Sequence, residues 1–327
     1  FVIGRNCQVK YGARILNSIL GDNSTVSCCE ILNNLIFPFH EQHHNSSFLI
    51  ATTILGQSNI AAGATIGSNH NPRSPDGEIY AGRGFWPGLC SDFKHNSKFA
   101  SFVLVSKGSY QHELNITYPF SLVAFKAEQE PIHIIPAYWF LFNMFAIARN
   151  NYKFKKRDKR VVKVQHIETD PLAPDAMQEV LVAIERLIVL TKDYLKHIGE
   201  ESVINAGSEQ NELQAAKDYL HQNTDADFTL FDPLCQKKYG ATIFKPVKAY
   251  KEYRKILKYF AARSIVEYCK ENGYEKFTRE VLEQMEKISL FTHWQNMGGQ
   301  IIPTIKIDQM CQKIKDGQID SWDEVHA

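Results

Sequence analysis

A β-solenoid followed by an α-helical region is the fold class that this sequence predicts, and three observations carry the prediction. A tetrad of an aliphatic residue, Gly, two variable residues and then typically a small one recurs: Ile3-Gly4-Arg5-Asn6-Cys7, Leu20-Gly21-Asp22-Asn23-Ser24, Leu55-Gly56-Gln57-Ser58-Asn59 and Ile66-Gly67-Ser68-Asn69-His70. Aliphatic residues also return every six positions, as in Ile3, Val9 and Ile15, Val26 and Leu32, and Ile54, Ile60 and Ile66. That period suits neither an amphipathic helix nor a half-buried strand. It suits a coil with flat sides, one inward aliphatic per side and a small residue at each corner. Beyond residues 153–160 the pattern becomes helical: residues 175–197 place Val180, Ile184, Leu187, Ile188 and Tyr194 on one stripe.

Taken in order, residues 1–36 carry the first coils. Residues 37–50 are polar and His-rich and open with Pro38, which predicts an extruded loop. The period resumes at Ile54 to Ile66, then breaks again over residues 69–77, dense in turn formers. Gly82, Gly84 and Gly88 around Phe85 and Trp86 predict unusual backbone beside a large ring. Residues 91–125 are β-rich and read as the last, less regular coils, and an aromatic helix over 134–150 caps them. Helices follow over 175–197, 208–221, 246–272 (ended by Gly273), 274–291 and 307–315. The organisation is thus a coil domain over 1–130 with extruded loops, a capping helix and basic linker over 131–160, and a helical domain over 161–327. Phe1 already lies within the repeat, so further coils are expected upstream.

Two domains suit a length of 327 residues. The 44% apolar and 22% charged residues are those of a soluble globular protein. A net charge of +1 argues against wholesale nucleic-acid binding. Seven cysteines without a CxxC pair read as free thiols in a reducing cytoplasm, with Cys7 and Cys28 as small corner residues. The apolar run 137–148 falls short of the ~20 residues that a membrane span needs. The expectation is a cytoplasmic protein with neither membrane nor nucleic-acid partner.

The tetrads resemble those of the hexapeptide-repeat superfamily, whose fold is the left-handed parallel β-helix; the match covers residues 1–70 well and 71–125 loosely. The solenoid with this helical tail also resembles a bacterial family of large hexapeptide-repeat proteins, some described as related to nucleotide-sugar pyrophosphorylases. The resemblance implies a transferase acting on a sugar or nucleotide sugar, with acyl-CoA as the donor used by most of the superfamily. It implies two alternatives: a non-catalytic scaffold or regulatory module, and a metal-dependent lyase similar to gamma-class carbonic anhydrases. Homo-oligomers occur in the superfamily.

Several residues are positioned for chemistry. In such a transferase a His on a loop beside the coil deprotonates the acceptor. His40, His43, His44 and His70 are the candidates for that base. A second cluster, Asn69, Asn71 and Arg73 with Arg83, Trp86 and His95, suits an anionic or cyclic ligand: arginine grips phosphate or carboxylate and Trp86 stacks on a ring. The same loop also reads as a clip over the solenoid with Trp86 as a plug. No metal ligand set is assigned. The basic run 153–160 reads as a solvated linker. The Gly298-Gly299 pair reads as a helix C-cap and turn. No GxxxxGK[ST] or GxSxG motif occurs, which removes P-loop and hydrolase readings.

Overall fold

Short parallel strands alternate with tight corners from Val2 to Ala124 and stack into a three-faced β-solenoid. The computed structural model describes residues 1–67, 77–127, 129–223, 227–286 and 292–326. Face one runs through Val2–Ile3, Ile19–Leu20, Leu35–Ile36, Thr52–Ile54, Ile79–Ala81, Lys98–Phe99 and Asn115–Ile116. Face two holds Gln8–Lys10, Thr25–Ser27 and Glu41–Gln42, a single bridge from Glu41 to Asn59, and then Trp86–Pro87, Leu104–Val105 and Leu122–Ala124. Face three stacks Arg14–Leu16, Cys29–Leu32, Ser47–Ile50, Thr65–Ile66, Asp92–Phe93 and Ser109–Tyr110.

Successive coils are in register, with Val2 beside Ile19 and Ile19 beside Leu35. Equivalent residues therefore form columns. On face one the inward column is Leu20, Ile36, Ile54, Ala81, Phe99 and Ile116, all buried. In later coils aromatics fill the interior, as where Phe93 stacks on Tyr110 at 5.1 Å. The corners explain the six-residue period. Asn6, Asn17, Asn23 and Asn33 turn them with φ between 47° and 58°, and Cys28 does so at 53°. Asn enters the left-handed region at low cost because its short polar side chain bonds locally. Gly21 has a different task. A Cβ there would lie 2.5 Å from the Pro38 nitrogen and 2.6 Å from the Phe37 carbonyl carbon, so only Gly lets these coils close.

Residues 37–50 are not extruded. They form a regular coil, with strands at Glu41–Gln42 and Ser47–Ile50. Gln42 takes the inward position that Val26 fills one coil earlier. Its amide oxygen meets His40 Nε2 at 3.0 Å and its NH2 donates to Ser47 Oγ at 3.1 Å, while His40 Nδ1 meets Ser58 Oγ at 2.8 Å. A buried polar chain that satisfies itself replaces the aliphatic the period calls for. The second expected break, 69–77, lies almost wholly outside the described residues.

The cap also differs from the expected helix over 134–150. Ile132–Ile135 is a strand antiparallel to Leu122–Ala124, and the helices Tyr138–Phe142 and Met144–Arg157 follow. Ala241–Ile243 and Leu230–Asp232 extend that sheet, so the tail itself closes the solenoid's end. Helices Pro174–His197, Glu209–Gln222 and Pro246–Glu271 match the expected ones within about two residues. One hydrophobic cluster runs from Leu20 in the coils to Ile256 in the last of these helices. Gly298 and Gly299, both at positive φ, turn a hairpin between Trp294–Met297 and Gln300–Pro303 rather than cap a helix.

Gly21→Ala is expected to cost about 1–3 kcal/mol through overpacking against the Phe37–Pro38 backbone. A denaturant midpoint equal to wild type would show that the coils can part at that corner.

Candidate functional site

Strand alternation sorts the His-rich coil. Gln42 points inward, so its neighbours Glu41 and His43 both point outward from face two. His43 Nδ1 lies 3.0 Å from Glu41 Oε2, and Arg157 donates to Glu41 Oε1 at 2.6 Å. The His43 ring is half-exposed and lies 4.4 Å from that of His44. The next coil places Asn59 beside Glu41, and the one after brings Trp86. The helix Met144–Arg157 lies over this face.

Together these elements close a cleft. Its floor is Glu41, Asn59 and Trp86, and its far wall is Asn150, Asn151 and Lys153. Trp86 stacks on Trp139 at 5.8 Å, and the Trp139 indole donates to the Phe102 carbonyl at 2.9 Å, which fixes one end. The enclosed volume is about 40 Å³, room for a short acyl tip or a few waters. Asn151 keeps its side-chain oxygen buried without a hydrogen-bond partner. Burial, then Arg157, push the Lys153 ammonium below the ordinary lysine range; nearby Glu41 opposes them and Arg149 adds to the depression. Arg149, Lys153 and Arg157 recur at helical spacing, so the basic run is one charged face of a helix rather than a free linker.

The residues expected from sequence are distributed as follows. His43 pairs with Glu41, and Trp86 shares the cleft floor with Glu41. His44 is exposed beside His43, and its carbonyl accepts from Ser47 Oγ at 3.2 Å. His40 is wholly buried with both ring nitrogens engaged, and burial brings it down to about 4. His95 is buried at 2% exposure. Arg83 is 1% exposed and its guanidinium is taken up: two bonds of 2.7 Å to Asp175, one of 3.0 Å to Gln57 Oε1 and one of 2.9 Å to the Asp170 carbonyl. It fastens the long helix to the coil. His70, Asn69, Asn71 and Arg73 lie outside the described residues. Sequence reading passed over Asn59 and Asn151 and took Lys153 and Arg157 for part of a solvated linker. The signal available for the last two was their i, i+4 spacing. Among the described residues no group of three or more His, Cys, Asp and Glu is placed to hold a metal ion.

No family model matches the chain. It is 44% identical over 307 residues to a protein of Treponema pallidum (strain Nichols) described as uncharacterized, an alignment covering 93% of this chain and 40% of that protein. The chain thus spans two fifths of that relative's length. Among solved structures it is similar to AntD, an N-acyltransferase from Bacillus cereus, in complex with dTDP and 3-hydroxybutyryl-CoA: 16% identity, 45% of this chain, 90% of that chain, TM-score 0.32. A point mutant of AntD with dTDP and coenzyme A gives 15% identity, the same coverage and the same TM-score. No described helix is long and apolar enough to cross a membrane.

Two outcomes follow. Arg83→Met leaves the largely covered Asp175 without its partner and is expected to cost about 3 kcal/mol, most of it regained when Asp175→Leu is added. Unfolding of the single and double variants checks this; additive losses would sink it. For His40, the folded value near 4 lies below the ordinary 6.5. The unfolded chain therefore binds more protons between these limits, and stability falls as pH drops from 6.5 to 4. The loss approaches about 3 kcal/mol. Wild type should lose stability faster than His40→Gln over that window; parallel pH profiles would refute it.

Proposed function

We propose that the chain carries a transferase site on face two, moving an acyl group from acyl-CoA to a hydroxyl or amine of a sugar or nucleotide sugar. The pairing of Glu41, on the cleft floor, with the half-exposed His43 3.0 Å away carries the reading. Glu41 accepts from the Nδ1–H of His43, which leaves Nε2 as the basic nitrogen. Arg157 holds Glu41 in place. His43 takes the proton from the acceptor as its oxygen or nitrogen attacks the thioester carbonyl. The C–S bond then breaks, and His43 returns the proton to the departing thiolate. Developing imidazolium charge is stabilised by the Glu41 carboxylate. The enclosed volume takes only the acyl tip, so the nucleotide end of the donor lies outside, where Arg149 and Lys153 offer cations to its phosphates.

The scaffold reading also has an observation behind it. The outward column of face one carries Val2, Ile19, Leu35 and Tyr80, each 37–60% exposed and in register. Exposed apolar surface of that kind marks protein contacts. It suits assembly with a further copy or a partner.

The readings part on mutation. With acetyl-CoA and a panel of amino and nucleotide sugars, His43→Ala and Glu41→Gln are expected to lower transfer roughly 10²–10⁴-fold with unfolding midpoints little changed. Thermal-shift binding of acetyl-CoA should persist in His43→Ala and weaken in Lys153→Met. Turnover indifferent to both His43→Ala and Glu41→Gln, or no donor binding at all, would leave the scaffold.

A further inference from the structure

Around the corner from that cleft, the helix Pro174–His197 lies along face one and leaves a groove of about 210 Å³. Lys98, Ala100, Asn115 and Thr117 line it from the coils, and Glu179 and Val182 from the helix. Its opposite walls carry opposite charges. Glu179 accepts from the Ser101 amide at 2.7 Å. Asp175, one helical turn earlier, is neutralised by Arg83 through two 2.7 Å bonds. Among the described residues no ion pair closes on Glu179 and none on Lys98.

Register sets the separation. Lys98 is an outward residue in the column of Tyr80 and Asn115. The Ser101 amide that holds Glu179 lies three residues farther along the chain, about 10 Å of extended backbone. Ala100 on the sheet and Val182 on the helix give the groove apolar lining, and Gln178 joins Glu179 and Val182 on the helix side.

We propose that this groove binds a small zwitterion whose ammonium and carboxylate are separated by a short hydrocarbon chain. The ammonium pairs with Glu179, the carboxylate with Lys98, and the methylenes lie over Ala100 and Val182. Asn115 and Thr117 offer hydrogen bonds to the carboxylate end. The site is independent of the transferase reading. Burial, with the Asp175 charge adding to it, raises the Glu179 carboxyl to about 7. Tyr80, Lys98, Tyr253 and the Arg83–Asp175 pair are the charged and titratable groups that face it. Only the ionised carboxylate attracts an ammonium, so affinity rises as pH climbs through 7 and a proton is released on binding below it.

The test titrates the chain with 6-aminohexanoate, hexylamine and hexanoate, read by amide NMR shifts at Ser101 and Val182 and by calorimetry at pH 6 and pH 8. The zwitterion is expected to bind at least about tenfold more tightly than either single-charge compound, and more tightly at pH 8. Lys98→Met should bring it to the level of hexylamine, and Glu179→Gln to that of hexanoate. Lys98 is exposed, and Gln still accepts from the Ser101 amide, so both variants keep their fold; their melting curves verify this. Equal binding of the three compounds, indifference to both substitutions, or no saturable shift overturns the proposal.

Discussion

Everything in this molecule is referred to the fixed spacing of stacked coils. Parallel strands stand about 4.8 Å apart, so equivalent residues of successive coils must touch. Inside, that constraint demands columns of matching size, from Leu20 and Ile36 to Phe99 and Ile116. At one corner it demands a residue without Cβ, since Gly21 meets the Phe37–Pro38 backbone. Outside, it assembles sites. Glu41, Asn59 and Trp86 are far apart in sequence, yet stacking sets them in one line on face two.

The helical tail is set against this column by charges largely shielded from water. Arg83 joins the coil to Asp175 at the start of the long helix. Arg160 bonds Asp158 and Asp22, tying the segment after the capping helix to an early corner. Arg186 and Tyr118 meet on the buried Asp232. Such pairs are weak contributors to net stability because desolvation offsets most of the attraction. Their effect here is geometric: each arginine accepts only one placement of the helix over the coil. The widths of the clefts on faces one and two follow from those placements.

The coil fold was legible because its signals are local. Gly and Asn mark corners, and one aliphatic per six residues marks a side. The long helices were legible from their apolar stripes for the same reason. The coil over 37–50 was not, because its inward residues are His40 and Gln42. Their burial depends on Ser47 and Ser58, and no pattern of hydrophobicity announces a hydrogen-bonded chain across coils. The strands Leu230–Asp232 and Ala241–Ile243 were equally hidden, since the second exists by pairing with Ile132–Ile135, a hundred residues earlier, and the first by pairing with the second. At the site, the sequence offered a cluster of His and Glu without saying which faced outward; the parity of strand positions decided that. Arg83 reads in sequence like an anion binder. Only the position of Asp175, far along the chain, makes it a structural tie.

A net charge of +1 conceals how the charges are divided. The helix over face two brings Arg149, Lys153 and Arg157 to a coil surface whose carboxylate Glu41 is already shared between Arg157 and His43. The helix over face one brings Asp175 and Glu179 to a coil surface that supplies Arg83 for only the first of them. Each helix packs through its apolar residues, and its polar residues flank that contact, so they line whatever groove a cylinder leaves on a flat sheet. The two grooves thus inherit opposite chemistry from the two helices. One presents surplus cations beside a carboxylate–imidazole pair, which suits a phosphate-bearing donor. The other presents a carboxylate whose ionisation falls near neutrality, which favours an ammonium. A single solenoid can in this way present different ligand surfaces at adjacent faces without any change in the coil itself.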